Sequence, residues 1–137
     1  MSITAAQRAR FVSTSVTTAS PATLLVMLYD RVVLDLQRAE SAQRAGDRSS
    51  AHAALVHAQD VVAELTSCLD VDAWDGAPGL LSLYTYLTTE LVAANTGGDP
   101  ERTASCRLLV EPLRDAWREA AASLAGTAGA AAVGGTA

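Results

Sequence analysis

The sequence predicts an all-α fold: an antiparallel up-down four-helix bundle with disordered N- and C-terminal tails. Apolar residues recur at the 100° helical period through four segments, Gly and Asp-Pro signals separate those segments, and no Val/Ile-rich alternating run offers a strand. At 137 residues and 50% hydrophobic content, the chain suits one domain around a single core. Short connections between helices of about 16–25 residues favour up-down neighbours.

Residues 1–19 are rich in Ser, Thr and Ala and form a flexible N-terminal segment, because such side chains bury too little surface to order themselves. The bundle domain covers 20–124. Its first helix starts sharply: Ser20 is a natural N-cap and Pro21 suits the first helical position, where no N–H is lost. That helix runs to about Ala45 and stops at Gly46. Asp47 caps the second helix, which ends near Leu69. A loop follows from Asp70 to Gly79, carrying Trp74, Gly76 and Pro78. The third helix covers about Leu80 to Asn95 and ends at Gly97-Gly98. Asp99-Pro100-Glu101 opens the fourth with a cap, a proline at N1 and a carboxylate near the positive helix end. Residues 125–137, Gly, Ala and Thr with one Val, read as a disordered tail.

The core stripes follow from the period. The first helix offers Leu25, Leu28, Tyr29, Val32, Leu36 and Ala39; the second Ala54, Leu55, Ala58, Val61, Val62, Leu65, Cys68 and Leu69. Leu80, Leu83, Tyr84, Leu87, Leu91 and Ala94 come from the third; Cys106, Leu109, Val110, Leu113, Trp117, Ala120 and Leu124 from the fourth. Pro112 removes a hydrogen bond to the Leu108 carbonyl and predicts a kink or a break there.

Composition excludes several classes. A formal charge of −5 argues against a nucleic-acid or anionic-membrane binder. No apolar stretch reaches the ~20 residues of a membrane span, and no signal region precedes a cleavage site, so a cytoplasmic protein without membrane insertion is expected. Cys68 and Cys106 form no CxxC pattern and read as reduced core thiols. His52 and His57 do not stack on one face and have no carboxylate at ligand spacing, so they read as surface residues. With no phosphate loop, nucleophile elbow or zinc spacing, neither catalytic residues, a cofactor nor a metal is expected, and the chain reads as a non-enzyme.

The anomaly lies on the first helix. Met27 and Leu34 point almost opposite its core stripe, and Val26 and Val33 lie on one flank, among Asp30, Arg31, Gln37 and Arg38. On the third helix Leu81 and Val92 project away from the stripe beside Thr85 and Thr88. One reading packs these residues under the N-terminal segment or at a bundle corner. The other makes Val26, Met27, Val33, Leu34, Leu81 and Val92 a partner surface for apolar helical peptides. Phe11 and Val16, large apolar residues in a Ser/Thr stretch, are expected to dock on this surface when no partner is bound.

Thr18-Ala19-Ser20-Pro21, two residues, Leu24, then Met27-Leu28-Tyr29-Asp30 resembles the N-terminal signature of the FliS family of flagellar secretion chaperones. Phe11 stands where that family has an aromatic residue. The resemblance continues through Gly46-Asp47, Ala58-Gln59-Asp60-Val61-Val62 with Glu64-Leu65, Leu83-Tyr84 with Tyr86-Leu87, and Leu113-Arg114-Asp115-Ala116-Trp117. It covers roughly residues 11–120, in order. Arg31 replaces a usual Gly, Thr85 a usual Asp, residues 76–81 rewrite the lead into the third helix, and Pro112 interrupts a segment normally unbroken. The resemblance implies a cytoplasmic chaperone for flagellin, holding its C-terminal region along the bundle, blocking premature polymerisation and keeping it competent for type III flagellar export. The flagellar export gate and a second regulatory protein are the further partners it opens.

Two rivals use the same residues. Trp74-Asp75-Gly76 and Tyr86 with Glu90 are similar to motifs of small secreted helical-hairpin proteins, although here the tyrosine motif lies inside a core helix. A generic helical-bundle adaptor is the other.

Overall fold

The computed structural model describes residues 21–135, with side chains through Leu124. Four helices fill it: α1 Pro21–Arg44, α2 Arg48–Cys68, α3 Ala77–Gly97 and α4 Pro100–Gly135. There is no strand among the described residues. Ser20, Phe11 and Val16 lie outside them, so the expected cap and docking contacts do too.

The turns close as their residues dictate. Gly46 and Gly98 both take positive φ, 76° and 60°, a conformation that would strain a side chain. Asp47 accepts a hydrogen bond from the Ser50 N–H, and the Ser50 side chain together with that N–H holds its carboxyl below the usual carboxylate range. Asp99 Oδ1 accepts a hydrogen bond from the Glu101 N–H at 3.0 Å.

The helices form a ring, α1 packing on α2 and α4, and α3 packing on α2 and α4. Across the α1–α3 diagonal contact is made by side chains, one of which reaches a backbone carbonyl. The Tyr29 and Tyr84 hydroxyls are 2.6 Å apart, and Gln43 Nε2 donates to the Ala94 carbonyl. Around this axis Val32, Leu36, Leu55, Val62 and Leu91 are fully buried.

Several expectations need correction. α3 begins at Ala77 rather than Leu80: Pro78 sits in its first turn, where the fixed φ of proline is pre-organised for a helix. Of the kink or break expected at Pro112, the break is absent: Pro112 is exposed beside exposed Leu108, so the carbonyl freed by the proline lies on the solvent side. α4 itself runs to Gly135. Cys68 is exposed; only Cys106 is a buried thiol, and burial, with Glu90 adding to it, pushes its pKa to about 11.

One buried charge escaped the periodicity. Asp35 on α1 is only 2% exposed. His57 Nδ1 of α2 lies 2.5 Å from Asp35 Oδ2, and Arg31 Nε lies 3.3 Å from Asp35 Oδ1. A carboxylate only accepts, so Nδ1 carries the proton. The 3.3 Å approach of Arg31 Nε to that same nitrogen is then a meeting of two donors, and the arginine's partner is Asp35. His57 thus ties α1 to α2 rather than standing as a plain surface residue.

Candidate functional site: apolar surface left uncovered by the bundle

The expected partner residues divide three ways. Val26 and Val33 are buried, at 9% and 2% exposure, and are corrected from surface to core. Their flank faces α4, as the ion pairs Asp30–Arg118 and Glu40–Arg107 show, and a helix between two neighbours buries a wider arc than one stripe. Met27 is half exposed and Leu34 partly so, on the outward side of α1. Val92 is exposed and Leu81 partly buried. They share the side of α3 that carries Asn95, whose side chain meets His52 of α2. Because α1 and α3 are diagonal, the structure does not bring these two pairs together.

A larger apolar surface lies where the sequence predicted core. Leu109 and Leu124 of α4 are 39% and 61% exposed, and Ala120 is exposed as well. The reason is length. At about 1.5 Å per residue, α4 runs about 54 Å against about 32 Å for α3. The Arg102–Glu90 ion pair sets the antiparallel register and puts Leu109 level with Leu83, and Asp115 level with Ala77 at the start of α3. Residues of α4 beyond that level have no α3 beside them, so Ala120 and Leu124 stay open. Upstream, half-buried Leu83 and Leu113 and exposed Tyr86 and Leu109 lie near the seam that the Arg102–Glu90 pair brings together, so the surface groove between α3 and α4 is apolar. Nothing in the sequence period marks it, since the same stripe serves core and groove.

Below the open end of this groove lies a cavity of about 270 Å³, walled by Leu25, Leu65, Leu80, Tyr84 and Trp117 with Trp74 at its rim. Trp74 is half exposed, and its indole lies across Gly76, where any Cβ would overlap the ring. The Trp-x-Gly spacing therefore has a local packing explanation. Trp117 stands 6.3 Å from Tyr29, ring centre to ring centre. Its indole N–H falls short of hydrogen-bond geometry and is the buried side-chain polar atom without a partner among the described residues. Burial raises the Tyr29 pKa, with the Tyr84 hydroxyl and the Trp117 N–H opposing it; burial also raises that of Tyr84.

Among the described residues no group of three His, Cys, Asp or Glu could hold a metal ion, and no helix is long and apolar enough to cross a membrane. What the surface can do is receive apolar side chains.

Comparison with known proteins agrees in kind. The family model described as flagellar protein FliS matches residues 3–124. The flagellar secretion chaperone FliS of Bacillus subtilis (strain 168) is 30% identical over 106 residues, 77% of this chain and 79% of the relative. That of Escherichia coli (strain K12) is 28% identical over 110 residues, 79% and 81% of the two chains. The Vibrio cholerae protein of the same name is 26% identical over 107 residues, 77% and 79%. With an all-helical bundle matched over nearly its whole folded length, this chain belongs to the FliS family of flagellar secretion chaperones.

Proposed function

We propose that this protein binds the C-terminal region of flagellin in the cytoplasm, prevents its premature polymerisation and holds it ready for type III flagellar export. Family membership supports the class of activity, and the exposed Leu109–Tyr86 groove carries the reading for this chain. Flagellin ends assemble by pairing helices, so a chaperone has to offer substitute apolar grooves to the same faces. The α3–α4 groove suits one amphipathic helix. Met27 with Leu34, and Leu81 with Val92, are further contact points for a segment that wraps the bundle. Ordering that segment costs a few kcal/mol. Covering each large apolar side chain contributes about 1.5–3 kcal/mol if it goes from fully exposed to fully buried, and less here. The reading needs no cofactor and no catalysis, and it leaves the export gate and a regulatory protein as further partners.

The test is calorimetric titration with a flagellin C-terminal peptide. Leu109→Asp with Tyr86→Asp should weaken binding at least about tenfold, roughly the loss of one buried apolar contact, while circular dichroism stays unchanged. Met27→Asp with Leu34→Asp tests the outer face of α1 in the same assay. Unchanged affinity in both folded double variants would refute this surface.

A further inference from the structure

Charge is distributed unevenly along this chain. Residues 49–101 contain eight Asp or Glu and no Arg or Lys. On α1 and α4 most acids are matched by arginines: Asp30 with Arg118 and Arg114, Glu40 with Arg44 and Arg107, Glu111 with Arg107, Asp115 with Arg114. The α2–α3 loop has no such partners. Asp70, Asp72 and Asp75 are exposed and make no ion pair among the described residues. Asp70 Oδ1 accepts from the Asp72 N–H, which fixes the turn but neutralises nothing.

These aspartates stand around an apolar feature. Val71 and Trp74, between them, are 38% and 51% exposed, and Trp74 and Asp70 both border the cavity at this end of the bundle. The cavity, at about 270 Å³, lies below the usual ~300–1,000 Å³ of small-molecule sites and has room for a side chain rather than a cofactor. An apolar seat with an unscreened acidic rim selects its occupant by charge. Nucleic acid and anionic lipid are repelled. Among the described residues most arginines of α1 and α4 are held by the chain's own acids, so those two helices of a second copy offer little unpaired positive charge.

We propose that this end of the bundle is a second docking surface, for a partner protein segment presenting one large apolar side chain between basic residues. The apolar side chain enters the cavity beside Trp74, and the basic residues face Asp70, Asp72 and Asp75. Charge speeds encounter and fixes orientation, and the apolar contact holds the complex. The occupant differs from that of the flagellin reading, whose surface is the adjoining α3–α4 groove.

The experiment titrates the full-length protein with the peptide Ac-KLKKFLKK-amide and with its analogue in which Gln replaces every Lys, following the indole N–H resonances by NMR. The basic peptide should shift the Trp74 signal and bind about tenfold or more tighter than the analogue, an advantage that shrinks as salt rises. The variant Asp70→Asn/Asp72→Asn/Asp75→Asn, which keeps the turn acceptor, should lose that advantage, as should Trp74→Ala. A charge-matched variant, Asp60→Asn/Asp115→Asn/Glu119→Gln, should keep it. Equal loss in both triple variants would mean only generic attraction to an acidic protein and would overturn the proposal. So would tighter binding after deletion of residues 1–19, because the chain's own segment would then be the occupant.

Discussion

The hydroxyls of Tyr29 and Tyr84 meet at 2.6 Å across a bundle diagonal along which no backbones touch. Each is the other's partner in a buried setting, so removing one leaves the other unsatisfied. Tyr29→Phe or Tyr84→Phe should each cost about 1–3 kcal/mol in urea unfolding, and the double variant less than the sum of the two. Both pKa values are raised in the folded state, so the pair's contribution is fully present below pH 10, the ordinary tyrosine value, and is lost as pH rises through the folded values. Additive costs would show that the hydroxyls do not depend on each other.

Asp35 is held by His57 and Arg31 at the α1–α2 seam. His57→Ala should destabilise the fold by about 1–3 kcal/mol, since a buried carboxylate loses its closest donor. Asp35→Leu should cost less than the sequence position of a charged residue suggests, because it removes the charge that needed pairing. Thermal denaturation of both variants compares them directly.

Glu40 sits between Arg44 and Arg107, bridging α1 to α4. Burial works to raise its pKa, but hydrogen bonds from the two arginines outweigh it and hold the carboxyl below the ordinary 4.5. A depressed folded pKa means the contribution is present above that ordinary value and fades as pH falls through the folded one. Glu40→Gln should lower stability at neutral pH by about 0.5–1 kcal/mol, discounted for solvent screening, and by nothing in strong acid. A difference that persists in acid would assign the effect to packing.

Gly76 lets the Trp74 indole lie over it. Its φ of −82° suits any residue, so Gly76→Ala should cost under about 1 kcal/mol as an N-cap change. The new Cβ must push the ring aside. The Trp74 indole resonance should move while that of Trp117 stays, and basic-peptide binding should fall. An unmoved Trp74 signal would place the ring elsewhere in solution.

The sequence by itself determined the four helices, most of their turns and the centre of each buried stripe. Asp47 and Asp99 cap, Gly46 and Gly98 terminate, and Tyr29, Val32, Leu36, Leu55 and Leu91 bury as their period requires. It also carried the family, in the ordered motifs beginning at Ser20-Pro21. Tertiary structure alone decided what each face meets. Val26 and Val33 are core because α4 covers their flank, and Asp35 is buried because His57 and Arg31 reach it. Leu109 and Leu124 are open because α3 lies loosely beside the first and ends before the second. Periodicity fixes a residue's angle on its own helix, whereas exposure depends on where the neighbouring helices lie and where they stop.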